Sequence, residues 1–254
     1  MAHPNPRFTG RIGLVTGAAS GLGRDVALAL AEEGSRLVLF DRNTQDLAET
    51  AAACPGAVQV AGDVSRAADV ARAAAAAASL GPVTLLVTAA GVLGPTVPLP
   101  AVEEEDWDRL FATNVKGTWL ALKHVLPLME AAGGGAVVTF ASGAGLSGNV
   151  TFPAYSATKG AVVLMTRSVA LGHVARGIRA NSVCPGPIET PMLAHTFASA
   201  GDAAAERERE FRARNPMGRF GKPAEITAAV LFLLSDAAGY VNGVAMPIDG
   251  GRLA

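Results

Sequence analysis

The stretch Thr16-Gly17-Ala18-Ala19-Ser20-Gly21-Leu22-Gly23 follows an apolar run at residues 12–16 and opens an alanine- and leucine-rich segment at residues 22–33. Glycines permit a tight turn and a close backbone approach, and the N–H groups at a helix start bind phosphate. The spacing is G-x-x-x-G-x-G rather than G-x-G-x-x-G, so tight packing of a strand on a helix is the plain alternative. We interpret the stretch as a strand, a turn and a helix that bind a pyrophosphate.

The rest of the chain repeats this alternation of short apolar runs with longer segments of helical pattern. The predicted strands are residues 12–16, 36–40, 57–61, 84–88, 136–140, 178–183 and 244–248, and the predicted helices are 22–33, 44–52, 65–79, 103–131, 154–176 and 224–234. Continuous apolar strands that alternate with helices indicate a parallel sheet covered on both sides. No linker or repeat divides the chain. We therefore predict one α/β domain over residues 1–254, a Rossmann-like, doubly wound parallel sheet of about seven strands with helices on both faces.

The composition excludes several classes of function. The chain has 254 residues, 17% of them charged, and a net charge of −1, which provides no basic surface for nucleic acid or anionic lipid. Two cysteines exclude a disulfide framework, and four scattered histidines lack metal-ligand spacing. Residues 1–11 lack a signal-peptide pattern, and proline and glycine interrupt the long uncharged stretches. We expect a cytoplasmic protein with no metal, no nucleic-acid partner and no membrane partner.

Acidic residues follow the second and third predicted strands. Asp41 lies where a carboxylate accepts hydrogen bonds from the adenosine ribose, and its charge would repel a 2′-phosphate, which favours NAD over NADP. Arg42 beside it could tolerate that phosphate, so NADP stays the less favoured cofactor. Asp63, followed by Val64, is expected at the adenine amino group, although an aspartate at this place is often a helix cap.

A second motif, Tyr155-Ser156-Ala157-Thr158-Lys159, places a tyrosine and a lysine on one face of a helix. Alone, such a pair is often a plain surface feature. Here it follows an uncharged, glycine- and serine-rich segment that contains Ser142. Together with the glycine turn, this pattern resembles the classical short-chain dehydrogenase/reductase family over nearly the whole chain. The resemblance implies hydride transfer between a nicotinamide and a substrate carbon.

The resemblance also implies a role for each matched residue. Tyr155 would be the general acid or base, and the Lys159 ammonium together with the positive nicotinamide ring of NAD⁺ would lower its pKa from about 10. Ser142 would bind the substrate oxygen, and Asn114 would hold a water that links Lys159 to solvent. The implied cofactor site comprises Gly17, Ser20, Gly21, Leu22, Gly23, Asp41, Asp63, Val64, Ala89, Ala90, Gly91, Tyr155, Lys159, Pro185, Gly186, Ile188 and Thr190.

One motif departs from the family pattern. The family often has two asparagines before Ala-Gly at the end of the fourth strand, whereas this chain has Thr88-Ala89-Ala90-Gly91. Those asparagines are thought to brace the sheet. The departure therefore concerns hydrogen bonding in the sheet rather than the chemistry.

The expected substrate pocket is apolar. The residues predicted to contact substrate are Ser142, Ala144, Phe152, Tyr155, Pro187 and Met192, with Val92, Leu93 and Val150 as further wall positions. No wall position is charged, and a pocket without arginine or lysine pairs poorly with an anion. We therefore expect an uncharged, fairly apolar secondary alcohol or its ketone. Residues around 190–217 match the place of a mobile substrate lid, with a plain surface helix as the alternative.

Three alternative functions remain open on the sequence. The nearest is an NADPH-dependent 3-oxoacyl-thioester reductase of the same family. A non-catalytic dinucleotide sensor would not need Ser142, Tyr155 and Lys159, and a methyltransferase on a similar sheet would not use the tyrosine and lysine. The resemblance also implies a homotetramer, or a dimer, that acts on a small molecule.

Overall fold

Seven parallel strands form one sheet in the order β3-β2-β1-β4-β5-β6-β7. The computed structural model describes residues 6–198 and 201–254. The strands are β1 (Ile12–Thr16), β2 (Arg36–Asp41), β3 (Val58–Ala61), β4 (Val83–Thr88), β5 (Gly135–Phe140), β6 (Ile178–Pro185) and β7 (Ala245–Ile248). This confirms the predicted doubly wound α/β fold.

Helices cover both faces of the sheet. They are α1 (Gly21–Glu32), α2 (Thr44–Ala52), α3 (Ala67–Leu80), α4 (Glu104–Leu110), α5 (Gly117–Ala131), α6 (Pro153–His173), α7 (Pro191–Ala198), α8 (Ala204–Ala213) and α9 (Pro223–Leu234). One apolar core joins α1, α2 and α9 to the sheet, and another joins α3, α5 and α6 to its opposite face. Within the described ranges, no helix is long and apolar enough to cross a membrane.

The predicted single helix at residues 103–131 is interrupted. The segment Phe111–Lys116 is π-helical, between α4 and α5, and the side chain of Asn114 within it is fully buried. A π-turn accommodates an extra residue in the helix and is frequent at functional sites. Hydrophobic periodicity does not reveal such an insertion, which is why the sequence predicted one continuous helix.

Strand β1 lies between β2 and β4. The chain adds β2 and β3 on one side of β1 and then β4 to β7 on its other side, so the strand order reverses at β1. The carboxyl ends of β1 and β4 border the resulting crevice, where ligands of such folds bind. Their backbones are joined beyond the strands, since Ala89 N donates to Thr16 O at 3.2 Å and Ala90 N donates to Thr16 Oγ1 at 3.3 Å. Thr16 thus braces the end of β4, while the buried Thr88 Oγ1 has no partner among the described residues.

The glycine turn is tightly packed against this crevice. Gly17 has a φ of 70°, and a Cβ there would lie 2.6 Å from Ala90 N. A Cβ at Gly23 would overlap the carbonyl oxygen of Gly17, because the first turn of α1 packs directly on the preceding turn. Both glycines are therefore required by space, and Gly17 also by its backbone conformation.

We predict that Gly23→Ala lowers the free energy of unfolding by about 2 kcal/mol or more, because the added methyl group forces the turn away from α1. The matched control is Gly172→Ala, a helical position in α6 where a Cβ meets nothing within 4 Å. That control is expected to leave stability unchanged or to raise it by up to about 1 kcal/mol. Urea unfolding of both variants tests this, and equal stability of the two would contradict the packing account.

Candidate active site

A cleft of about 510 Å³ lies at the carboxyl edge of the sheet. It contains every residue predicted for the cofactor and every residue predicted for the substrate. Asn114 is predicted for the site but does not line the cleft, and Val150 lies outside it with 85% of its surface exposed. The expectation that Val150 forms part of the pocket wall is therefore wrong, because the loop that carries it points this side chain to solvent.

The glycine turn forms one end of the cleft. Ser20 precedes α1 with an extended backbone, and its side chain makes no capping hydrogen bond. Gly21 has a φ of 53°, and a Cβ there would meet open space. The start of α1 therefore faces the cleft with neither a side-chain cap nor an acidic residue in its first turn. This arrangement fits the pyrophosphate of a dinucleotide.

Asp41 borders the same end of the cleft. Its Oδ2 accepts a hydrogen bond from Ala19 N at 3.1 Å, and its Oδ1 accepts one from Asn43 N at 3.0 Å. These two backbone donors fix the carboxylate at the end of β2. The neighbouring Arg42 also lines the cleft.

Asp63 follows β3 beside these residues. Partial burial works against its ionisation, but hydrogen bonds from Ser65 N and Ser65 Oγ, each at 2.8 Å, together with the charges of Arg66 and Arg42, lower its pKa overall. The Asp63 carboxylate thus accepts hydrogen bonds from the turn that follows it, as a capping aspartate does. Asp63 also lines the cleft.

Tyr155, Lys159 and Ser142 meet at the other end of the cleft. Pro153 opens α6, which suits the first position of a helix, and Tyr155 and Lys159 follow on one face. Ser142 follows β5 and lines the cleft with Tyr155, and its Oγ accepts a hydrogen bond from Ala144 N at 3.2 Å. Lys159 Nζ lies 5.6 Å from the centre of the Tyr155 ring and donates to Phe140 O at 2.7 Å.

Burial shifts the titration of both groups. It raises the pKa of Tyr155 to about 12, although the Ser142 hydroxyl opposes the shift. Burial also lowers the pKa of Lys159 to about 8. Desolvation penalises the charged form of both groups, and the Lys159 ammonium is directed at Phe140 O. That Lys159 and a bound nicotinamide together lower the pKa of Tyr155 stays a prediction.

Asn114 acts on the backbone around the site. Its Oδ1 accepts from Val92 N at 2.8 Å, and its Nδ2 donates to Val92 O at 2.9 Å and to Thr158 Oγ1 at 3.0 Å. A Cβ at Gly91 would lie 3.3 Å from Asn114 Oδ1 and 3.4 Å from Lys159 Nζ. Asn114 therefore joins the end of β4 to α6 at the level of Lys159. The proposed water at Asn114 stays a prediction.

Two helices border the substrate half of the cleft. Met192, Leu193 and Thr196 of α7 and Phe211 of α8 line it. Phe197 packs edge-to-face on Phe211 with ring centres 5.5 Å apart. The predicted lid at residues 190–217 corresponds to these helices, except that residues 199–200 lie outside the described part of the chain.

The sequence interpretation missed the residues that follow β7. Asp249 Oδ1 accepts from Gly251 N and Asp249 Oδ2 accepts from Leu253 N, both at 3.0 Å. This turn returns Arg252 and Leu253 to the cleft. The sequence Asp249-Gly250-Gly251 is typical of a turn, but it does not indicate which later side chains line the site.

Comparisons with known proteins agree with this fold. The family model described as enoyl-(acyl carrier protein) reductase matches residues 17–252. Levodione reductase of Leifsonia aquatica is 38% identical over 261 residues, covering 100% of this chain and 98% of the relative. A levodione reductase crystal structure has a TM-score of 0.94 at 36% identity and covers 97% of this chain and 98% of its own. The chain belongs to the short-chain dehydrogenase/reductase family.

Other relatives within the family differ in what they act on. The 2-(S)-hydroxypropyl-CoM dehydrogenase 3 of Xanthobacter autotrophicus is 39% identical and covers 98% of both chains. The 3-oxoacyl-[acyl-carrier-protein] reductase FabG of Thermotoga maritima is 35% identical and covers 96% of this chain and 98% of its own. This member of the short-chain dehydrogenase/reductase family is thus an NAD(P)-dependent alcohol dehydrogenase or ketone reductase that acts on a small molecule.

We predict that Lys159 makes stability rise with pH. Its pKa is about 8 in the folded protein against 10.5 for an ordinary lysine. Between these values the unfolded chain keeps a proton that the folded chain has released, so raising the pH favours folding. Relative to Lys159→Met, the wild type should gain up to about 1.4 kcal/mol per pH unit in this window.

Urea unfolding of both proteins at about pH 7.5 and about pH 9.5 measures this difference. The titration of Tyr155 does not account for the difference between the two proteins. Its pKa is about 12 in the folded chain and 10.0 for an ordinary tyrosine, and both values lie above the two pH values of the experiment. Equal pH dependence of the wild type and Lys159→Met would contradict the lowered pKa.

Proposed function

We propose that this enzyme transfers a hydride between the nicotinamide of NAD and an uncharged, fairly apolar secondary alcohol or ketone, with Tyr155 as the general acid or base. The observation that carries the proposal is that Ser142, Tyr155 and Lys159 line one cleft, with Lys159 one helical turn after Tyr155. These groups lie in the same cleft as the glycine turn. A dinucleotide bound at that turn would thus share one cavity with a proton-transfer site.

Side chains of the protein itself transfer the proton to and from the substrate oxygen. In ketone reduction, the Tyr155 hydroxyl donates its proton to the substrate oxygen, and a pKa of about 12 keeps that proton on the phenol at neutral pH. Ser142 Oγ hydrogen-bonds the same oxygen and stabilises the charge that develops on it. When bound, the nicotinamide supplies or accepts the hydride. In alcohol oxidation, Tyr155 first releases its own proton, which the Lys159 ammonium and the positive charge of the nicotinamide ring would favour. The phenolate then accepts the proton of the substrate hydroxyl.

Lys159 and Asn114 support this chemistry. Lys159 Nζ has three donors as an ammonium, one of them on Phe140 O, and the others are available for the hydroxyls of the nicotinamide ribose. Asn114 is a positioning residue, since its side chain joins Val92 to Thr158 one residue before Lys159. We also propose that a water at Asn114 links Lys159 to solvent.

The remaining cofactor residues have separate proposed roles. Ser20 and the neighbouring glycines bind the pyrophosphate, Asp63 and Val64 border the adenine, and Asp41 accepts hydrogen bonds from the adenosine ribose. The nicotinamide lies against the segment after β6. The residues of that segment are Pro185, Gly186, Ile188 and Thr190.

Three further features complete the proposal: one domain with α7 and α8 as a substrate lid, a cytoplasmic location, and assembly as a homotetramer or dimer. Exposed apolar side chains support assembly, among them Leu171 on α6, with 81% of its surface exposed, and Trp119 on α5, with 46%. Surfaces of this kind are typical of interfaces between chains.

An NADPH-dependent 3-oxoacyl-thioester reductase is the second candidate function. It is favoured by Arg42, which lines the cleft beside Asp41 and could pair with a 2′-phosphate. The fixed carboxylate of Asp41 favours NAD instead, because two anions at this place repel each other.

We predict that Tyr155→Phe abolishes turnover while it leaves NADH binding unchanged, because the variant keeps the ring and lacks the transferable proton. Steady-state rates with a panel of secondary alcohols and NAD⁺ measure the first effect, and a fluorescence titration with NADH measures the second. Substantial residual turnover in Tyr155→Phe would exclude Tyr155 as the general acid or base.

We also predict that Asp41→Ala lowers the ratio of kcat/KM for NAD⁺ to that for NADP⁺ by about 10-fold or more, since it removes a ribose acceptor and a charge that repels phosphate. The control is Glu49→Ala, an exposed carboxylate in α2 that does not line the cleft. A ratio that stays constant in Asp41→Ala would favour the NADPH-dependent alternative.

A further inference from the structure

Arg252 is a cationic side chain in the cleft without an acceptor. Its Nη1 is buried and has no hydrogen-bond partner among the described residues. Four buried side-chain atoms share this condition, on Thr88, His124, Ser156 and Arg252, and of these residues Arg252 alone lines the cleft. A buried donor left unsatisfied is costly, and more so when it is charged. A ligand that enters the cleft with a hydrogen-bond acceptor would therefore satisfy the buried Nη1 of Arg252.

The neighbouring groups do not supply this acceptor. Both carboxylate oxygens of Asp249 accept backbone N–H groups of the turn that carries Arg252. The Phe211 ring, whose centre lies 5.8 Å from Arg252 Cζ, offers a cation–π contact rather than an oxygen. In the parts of the chain that the structure describes, Arg252 has no ion pair.

The position of Arg252 points to the substrate rather than to the cofactor phosphates. Arg252 follows β7, which is four strands from β1 and its phosphate-binding turn, about 19 Å at the usual strand spacing. The next residue, Leu253, has its Cδ1 3.5 Å from where a Cβ of Gly143 would lie, directly after Ser142. The Arg252 ring contact, Phe211, belongs to the proposed lid.

We propose that Arg252 binds a second oxygen function of the substrate, remote from the carbon that is oxidised or reduced. The guanidinium donates hydrogen bonds either to a second carbonyl, which leaves the substrate uncharged, or to a carboxylate, which makes the bond charge-assisted. The inference rests on the proposed function, because it identifies the occupant of the cleft as a ketone or alcohol. It adds a substrate class: compounds with two oxygen functions on one apolar frame.

The test compares three ketones that share one ring: cyclohexanone, cyclohexane-1,4-dione and 4-oxocyclohexanecarboxylate. We expect Arg252→Met to lower kcat/KM for at least one of the two compounds with a second oxygen function by about 10-fold or more. The loss should lie mainly in KM, and the value for cyclohexanone should stay within about twofold. Arg252→Lys should retain part of the preference, because it keeps the charge without the planar fork.

The matched control is Arg36→Met. Arg36 is an exposed arginine at the start of β2, at the opposite edge of the sheet, and it does not line the cleft. We expect this variant to leave all three kcat/KM values unchanged. Size-exclusion chromatography of each variant checks that Arg252 does not act through contacts between subunits.

The outcomes separate this inference from the proposed function. An equal loss on all three ketones, a change of assembly in Arg252→Met, or no loss at all would overturn the role of Arg252. A loss confined to 4-oxocyclohexanecarboxylate would support Arg252 while contradicting the uncharged substrate. If none of the ketones is turned over, calorimetry measures the binding of 4-oxocyclohexanecarboxylate to the NADH-loaded protein. Binding by the wild type that is lost in Arg252→Met supports the inference. Equal binding by both proteins, or no binding by the wild type, overturns it.

Discussion

The close backbone approach between the glycine turn and the end of β4 is the constraint on which the rest of the site depends. A Cβ at Gly17 would lie 2.6 Å from Ala90 N, so the two backbones pack without intervening side chains. This contact brings the start of α1 to the crevice where the chain reverses its direction across the sheet. The phosphate-binding end and the proton-transfer end consequently share one continuous cleft.

Desolvation governs the chemistry at the other end of that cleft. Burial raises the pKa of Tyr155 to about 12 and lowers that of Lys159 to about 8, so at neutral pH the phenol keeps its proton and Lys159 is mostly an ammonium. The chain's own residues thus present a proton donor at neutral pH, which suits protonation of a substrate oxygen as a hydride arrives. The same low polarity strengthens the hydrogen bond that Ser142 offers to a developing charge.

The sequence predicted the sheet and most of the cleft because both follow from local patterns. Apolar runs and glycine spacing were sufficient for the strands and the turn, and residues at the ends of parallel strands necessarily meet at one edge. Features that depend on tertiary contacts were not predicted from the sequence. The π-turn around Asn114 does not disturb the apolar periodicity, and Val150 lies in a loop whose direction the pattern does not determine. Arg252 reaches the cleft through a turn that Asp249 closes, so its position depends on folded backbone contacts.

Direct hydride transfer is the central claim, and isotope tracing tests it most directly. A reactive secondary alcohol with deuterium on its carbinol carbon is incubated with the enzyme and NAD⁺ in ordinary water, and the isolated NADH is analysed by mass spectrometry. The account predicts one deuterium per NADH formed, because the carbon-bound hydrogen moves to the nicotinamide while the hydroxyl proton passes to Tyr155. Unlabelled NADH, or no NADH with any secondary alcohol, would contradict it.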